Sequence, residues 1–310
     1  MRLFKVGKKQ KDWVAMSMHG DQLALAQGVR TGPRPRVVRH GLCALDISGR
    51  LPLERAARDF GLVKNRYVML LKPGEYQVLL IEAPKVATAE LRAAVRWSIK
   101  DLLDHPIDEV TLDILDIPEL ADDRNAIHQM YVIAAPNLII QDRMAQFDGA
   151  KLLLDAIDIP ETAQRNIAAL YEEVGTSTAV LHVDDDGALL TIVHASNLYY
   201  TRRIDVTAGQ LVTGDEQSRE SAKERLLIEL QRSLDHFERQ YRTIPLAKLV
   251  IGPMLGDHEL DAYMSEGLGI SIETVDLRES IDFGVGSLDT STQAQLFHAV
   301  GASLRESLEA

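Results

Sequence analysis

The sequence predicts an α/β protein of two similar halves facing each other across a central cleft, with a strand-helix-strand subdomain inserted into the first. Three observations carry this. WVAMSMHGDQLALAQGV (13–29) and AVLHVDDDGALLTIV (179–193) share one layout, an apolar strand, a polar tip with glycine and a second apolar strand. Alternating hydrophobics around such a tip are a strong hairpin signal. Each hairpin opens a run of strand and helix patterns of the same general plan, as duplicated domains do. Between the first hairpin and the helix that closes its half lies an extra segment, 64–149. The expected division is therefore 1–63 and 150–175 for the first half, 64–149 for the insertion and 176–310 for the second half.

In chain order, the first hairpin leads to a strand in VVRHGLCALDI (37–47) and a helix in LPLERAARDFG, with Gly61 just past its end. RYVMLLKPGEYQVLLIEAP (66–84) reads as two strands around a Pro-Gly turn. A helix is expected over 88–103, then an edge strand from the alternation of HPIDEVTLDILDIPE. HQMYVIAAP is a strand and LIIQDRMAQFDGAKL a helix, and the apolar LLDAIDIPETAQRNIAALYEE leads to a helix ending near Gly175. The second half continues with strand LYYTRRIDV, a long helix within 219–241, strand LAKLVIGP, a helix, strand ISIETVDL and a closing helix near 292–308. In the long helix Leu226, Leu227, Leu230, Leu234, Phe237 and Tyr241 recur at steps of one, three and four, which makes a single apolar stripe.

The 310 residues allow two domains and a large core. Hydrophobic content of 46% and charged content of 26% are those of an ordinary globular protein. One cysteine, Cys43, leaves no disulfide framework and fits a reducing compartment. No apolar run approaches the roughly 18 residues that cross a bilayer, and the N-terminus lacks a signal-peptide core, so a cytoplasmic location is expected. Residues 1–40 hold nine Lys/Arg against two Asp, whereas the whole chain carries −12. That acidic body argues against nucleic acid as a partner, because nothing basic is large enough to neutralise many phosphates. The basic leader MRLFKVGKKQK, with Leu3, Phe4 and Val6 between cations, admits weak contact with an anionic membrane surface as well as a solvated terminus.

Candidate metal clusters are weak. His182 and His194 sit on neighbouring strands, but a turn at Asp186-Gly187 puts them on opposite faces, so no metal is expected between them. Asp113, Asp116, Glu119, Asp122 and Asp123 are too widely spaced for a calcium loop and read as a solvated edge. No H-E-x-x-H, C-x-x-C, G-x-S-x-G or G-x-x-x-x-G-K-[ST] pattern occurs. In the 88–103 helix Leu91, Ala94, Val95, Ile99 and Leu102 form one stripe. Trp97 lies on roughly the opposite side with Ala93 and Lys100, either packed within the chain or placed as an interface anchor.

RAAVRWSIKDLLDHPIDEVTLDILDIPE, YVIAAPNLIIQDRMAQFDGAKL, LIELQRSLDHFERQY and the terminal AVGASLRE, in that order, resemble the PilM family of type IV pilus assembly. The resemblance spans about 13–307. In character it is most similar to the MSHA-pilus branch typified by MshI, and it extends to the cytoplasmic part of the secretion protein GspL. It implies an actin-like, FtsA-like fold with ATP and Mg²⁺ held between the halves by two D-x-G hairpins. Aligned by strands, Ser17 and His19 stand where the first Asp and Gly belong, and His182 and Asp184 where the second pair belongs. The adenosine loop reads Ile251-Gly252-Pro253-Met254, with Pro253 removing an amide donor. The implied nucleotide site is therefore degenerate, with no cofactor and no enzymatic activity expected; the alternative is an active actin-like ATPase. The resemblance also implies an adaptor at the inner membrane that binds the cytoplasmic tail of a PilN-like bitopic protein, with the assembly ATPase as a second candidate partner. The tail groove would border the helix carrying Ala93, Arg96, Trp97 and Lys100.

Overall fold

The computed structural model describes residues 12–30, 34–45, 51–62, 65–119, 127–254, 256, 259–284 and 288–305. The basic leader and Asp122 and Asp123 lie outside these residues.

The first hairpin is β1 (Trp13–His19) and β2 (Gln22–Val29), joined through Gly20-Asp21, and β3 (Arg36–Ala44) continues it. Helix α1 (Leu53–Asp59) follows, then β4 (Arg66–Leu70) and β5 (Gln77–Glu82). Helix α2 (Thr88–Ile99) passes into two 3₁₀ turns, Lys100–Leu102 and Ile107–Glu109, before β6 (Val110–Asp116), β7 (Gln129–Pro136) and α3 (Asn137–Gly149). Strand β8 (Leu154–Asp158) and helix α4 (Pro160–Ala168) complete the first half. The second consists of β9 (Ser177–Asp184), β10 (Gly187–His194), β11 (Asn197–Ile204), α5 (Ala208–Val212), α6 (Glu216–Gln240), β12 (Leu246–Ile251), α7 (Leu260–Leu268), β13 (Ser271–Thr274), α8 (Leu277–Ser280) and α9 (Thr290–Ser303).

Two five-stranded sheets repeat one plan, β3-β2-β1-β4-β8 and β11-β10-β9-β12-β13. In each, three strands run as an antiparallel meander and the last two join it in parallel. The duplication expected from the two hairpins is thus present strand for strand. A third sheet, β5-β7-β6, is antiparallel, with β6 at the expected edge. Helix α2 covers it through Val95 and Ile99 against Met130 and Val132.

Four expectations need correction. The strands on either side of Pro73-Gly74 part company, because β4 pairs in parallel with β1 and β8 while β5 joins the third sheet. Tyr67, Val68, Met69 and Leu70 are all buried, so β4 is apolar on both faces, as a central parallel strand must be. LLDAIDIP contains a strand of its own, β8, and the helix after it ends at Ala168, well short of Gly175. The second hairpin turns at Asp185-Asp186, since Asp184 pairs with Gly187. The pairing moves by an even step, so His182 and His194 still fall on opposite faces. Lastly, Leu102 is 54% exposed and lies off the α2 stripe, because the helix tightens after Ile99.

Helices α4 and α9 tie the two halves together. On one face of β1, Trp13 and Ala15 pack with Ala163 of α4 and Ala302 of α9. On the other, Val14 and Met16 pack with Ala56 of α1 and Phe147 of α3. Ile167 of α4 and Leu296, Phe297 and Val300 of α9 enter the core of the second half. The helices touch so closely that a Cβ on Gly301 would lie 2.2 Å from the carbonyl oxygen of Ala163. Gln164, fully buried, donates to Val180 O (2.8 Å) and Leu189 O (2.9 Å) and so fixes α4 to β9 and β10.

Candidate functional site

Position in the hairpins decides which side chains meet. Ser17 and His182 each stand two residues before the last paired residue of their strand, and His19 and Asp184 are those last residues. The two pairs are therefore equivalent in the two halves. The tips also face each other: a Cβ on Gly20 would lie 4.0 Å from Asp185 Oδ2. Gly252, at the end of β12, comes to the same place, and its N–H donates to Leu181 O (2.7 Å). The five loop residues singled out in the sequence thus converge around the adjoining ends of β1, β9 and β12.

Ser17 is buried within the strand pairing. The His182 ring is 2% exposed, stacks on Phe297 at 4.2 Å and lies against Gly252, whose added Cβ would fall 2.8 Å from Nδ1. Burial, aided by nearby His19, holds His182 down to about 3, so the ring is neutral. Asp184 caps its own turn by accepting from Asp186 N (2.9 Å). Burial pushes its carboxyl up to about 6. The three aspartates thus form a turn, and its first carboxylate is aimed inward.

A residue unmarked in the sequence completes the cluster. His298 of α9 stands edge-on to His182 at 4.9 Å, with Nδ1 4.0 Å from Asp184 Oδ2. Burial first, and then the neighbouring His182, hold it well below the ordinary histidine range. Beside it, Arg203 of β11 meets Glu161 of α4 (3.1 Å), whose other oxygen accepts from the hydroxyl of Tyr76 (2.6 Å). Nothing local marked His298, Glu161, Arg203 or Tyr76; a carboxylate inside the apolar face of a helix was the only hint.

A second feature lies between the third sheet and the first half. A groove of about 470 Å³ runs between the edge strands β6 and β8, with Leu71, Ile133, Ile140 and Ile157 among its lining. Helix α2 contributes Arg92, which pairs with Asp113 (3.4 Å). Ala93, Arg96, Trp97 and Lys100 occupy the adjoining outer face. Trp97 is 79% exposed, with the Lys100 ammonium 5.8 Å from its ring, and Arg96 donates to Ile107 O (2.7 Å) and to Asp108 (3.2 Å). Arg96 therefore also holds the following turn. In the acidic run, Asp116 and Glu119 flank His128 at 2.7 and 3.6 Å.

Neither protein-family profiles nor curated proteins match this chain. Among solved structures, a PilM-PilN type IV pilus biogenesis complex is similar with a TM-score of 0.72 at 19% identity, over 94% of this chain and 97% of that one. The cytoplasmic domain of EpsL, an inner-membrane component of the type II secretion system of Vibrio cholerae, is similar with a TM-score of 0.52 at 11% identity, over 95% and 96%. At these identities the likeness establishes the fold, the actin-like α/β arrangement that the resemblance implied.

Proposed function

We propose that this chain is a scaffold of a type IV pilus assembly machine, of the MSHA type, that docks the cytoplasmic tail of a PilN-like bitopic inner-membrane protein. The observation that carries this reading is the groove between β6 and β8, in a fold shared with one chain of a PilM-PilN complex. An extended peptide can add to an exposed sheet edge through its backbone and place alternate side chains in apolar pockets. Here β6 and β8 are both terminal strands of their sheets, and the floor between them is aliphatic. The outer face of α2, with Trp97, would extend the contact beyond the groove. The chain would then be recruited to the inner membrane by its partner; among the described residues no helix is long and apolar enough to cross a membrane.

A degenerate nucleotide site belongs to the same reading. Phosphoryl transfer is mostly positioning plus charge stabilisation, through amide-rich turns and a metal-positioning carboxylate. Ser17 and His19 supply no carboxylate, and the Gly252 amide is already bonded to Leu181. Asp184 would repel a phosphate that has no intervening cation.

Titration of a labelled tail peptide from the same assembly system tests the proposal. Ile140→Asp places a charge on the groove floor and is expected to weaken binding at least tenfold. Trp97→Ala is expected to weaken it by less. Wild-type affinity in Ile140→Asp, or no binding of any tail to the wild type, would sink the docking role.

A further inference from the structure

We propose that His182, Asp184 and His298 form a binding site for a divalent transition metal of the zinc class, at the seam between the two halves. One ligand atom from each lies within 4.8 Å of the others. His182 and Asp184 are alternate residues of β9 and so project from one face of the strand. His298 comes from α9, the helix that packs between the two sheets.

The donor set selects the ion. Two imidazoles and one carboxylate suit zinc and its neighbours, whereas magnesium requires an almost complete oxygen shell. Zinc bonds of about 2.0–2.2 Å place tetrahedral ligands roughly 3.3–3.5 Å apart, so the site must contract by about 1 Å as the ion enters. Metal binding requires each imidazole in its neutral form. A second, independent observation marks the site: His182 Nδ1 and His298 Nε2 are buried with no hydrogen-bond partner. A buried polar nitrogen left unbonded is costly, and coordination after a ring flip is a direct way to satisfy it.

Three protein ligands leave one position for water or a fourth donor. His19, across from Asp184 on the first hairpin, is within electrostatic reach of all three. The guanidinium of Arg203 also reaches Asp184 and His298 electrostatically, but Glu161 (3.1 Å) and the Tyr76 hydroxyl (2.6 Å) engage it directly. An ion here would clamp β9 to α9. It would sit among the loop residues that the family resemblance assigns to the nucleotide site.

The full chain, stripped with EDTA and dialysed, is titrated with Zn²⁺ calorimetrically and with Co²⁺ by visible absorption. The expected result is one equivalent bound, with the intense visible bands of tetrahedral Co²⁺ and a raised melting temperature. Asp184→Asn and His298→Ala should each weaken binding at least tenfold and remove the bands. His194→Ala should not, because His194 lies on the other face and bonds Thr176 O (2.7 Å). If circular dichroism shows His298→Ala to be unfolded, Asp184→Asn decides. No binding by the wild type, or unchanged binding in the folded ligand variants, overturns the proposal. The site is independent of the groove, so loss of tail docking would leave the zinc titration intact.

Discussion

Glu161 has a side chain only 3% exposed, and its charge is matched by Arg203 and by the hydroxyl of Tyr76. These residues belong to α4, to β11 and to the segment entering the third sheet, so one ion pair joins three parts of the molecule. Burial, with the nearby carboxylate, keeps the Tyr76 hydroxyl far above its ordinary range, so it stays a neutral donor. Buried ion pairs add little over an apolar substitute, but removing one partner strands the other. Arg203→Met is therefore expected to destabilise the protein by about 3 kcal/mol in urea unfolding, at the lower end for a broken buried pair because the guanidinium is a third exposed. Arg203→Met with Glu161→Gln should recover part of the loss. A cost below about 1 kcal/mol for the single variant would show that Glu161 is solvated after all.

At the level of elements, periodicity explains most of the secondary structure. The α6 stripe buries Leu226, Leu230, Leu234 and Phe237, each contributing about 1.5–3 kcal/mol by leaving water. On α2 the same logic holds to Ile99 and then fails at Leu102, where the change to a 3₁₀ turn rotates the side chain outward. Trp97 and its neighbours lie on the polar side of that helix without a covering layer. Contact between α4 and α9 depends on a missing side chain instead. Gly301→Ala would drive a methyl to 2.2 Å from Ala163 O, so the helices must separate. The expected cost is about 2 kcal/mol, within the range for overpacking, seen as a lower melting temperature with native circular dichroism. An unchanged melting temperature would mean that the interhelical contact is looser than this geometry.

For the whole molecule, the duplicated sheets bring the adjoining ends of β1, β9 and β12 to one point. In this chain that point holds a serine, three histidines, an aspartate and an engaged glycine amide. Calorimetric titration with ATP and Mg²⁺ is expected to show weak binding or none, and no phosphate release over background. A dissociation constant in the low micromolar range would restore the active-ATPase reading. Run with and without Zn²⁺, the same titration also reports whether a metal at His182, Asp184 and His298 changes the affinity for ATP.

The sequence by itself determined the two hairpins and the edge strand β6 through side-chain alternation over short runs, the amphipathic helices through their helical period, and the doubled plan through the recurrence of one hairpin layout. The family resemblance, aligned by strands, placed Ser17 with His19 and His182 with Asp184 at equivalent positions, whereas the turn expected at Asp186-Gly187 lies one residue earlier, at Asp185-Asp186. Tertiary structure alone decided that β4 leaves its neighbour β5 for the first sheet, and that His298 joins a pair more than a hundred residues earlier. Strand choice depends on which partner buries both faces of β4, and an apolar run states only that burial is needed. Arg203, Glu161 and Tyr76 meet because the halves and the third sheet close on one another. Such long-range pairings leave no local period in the chain, and only the packing of the completed sheets selects them.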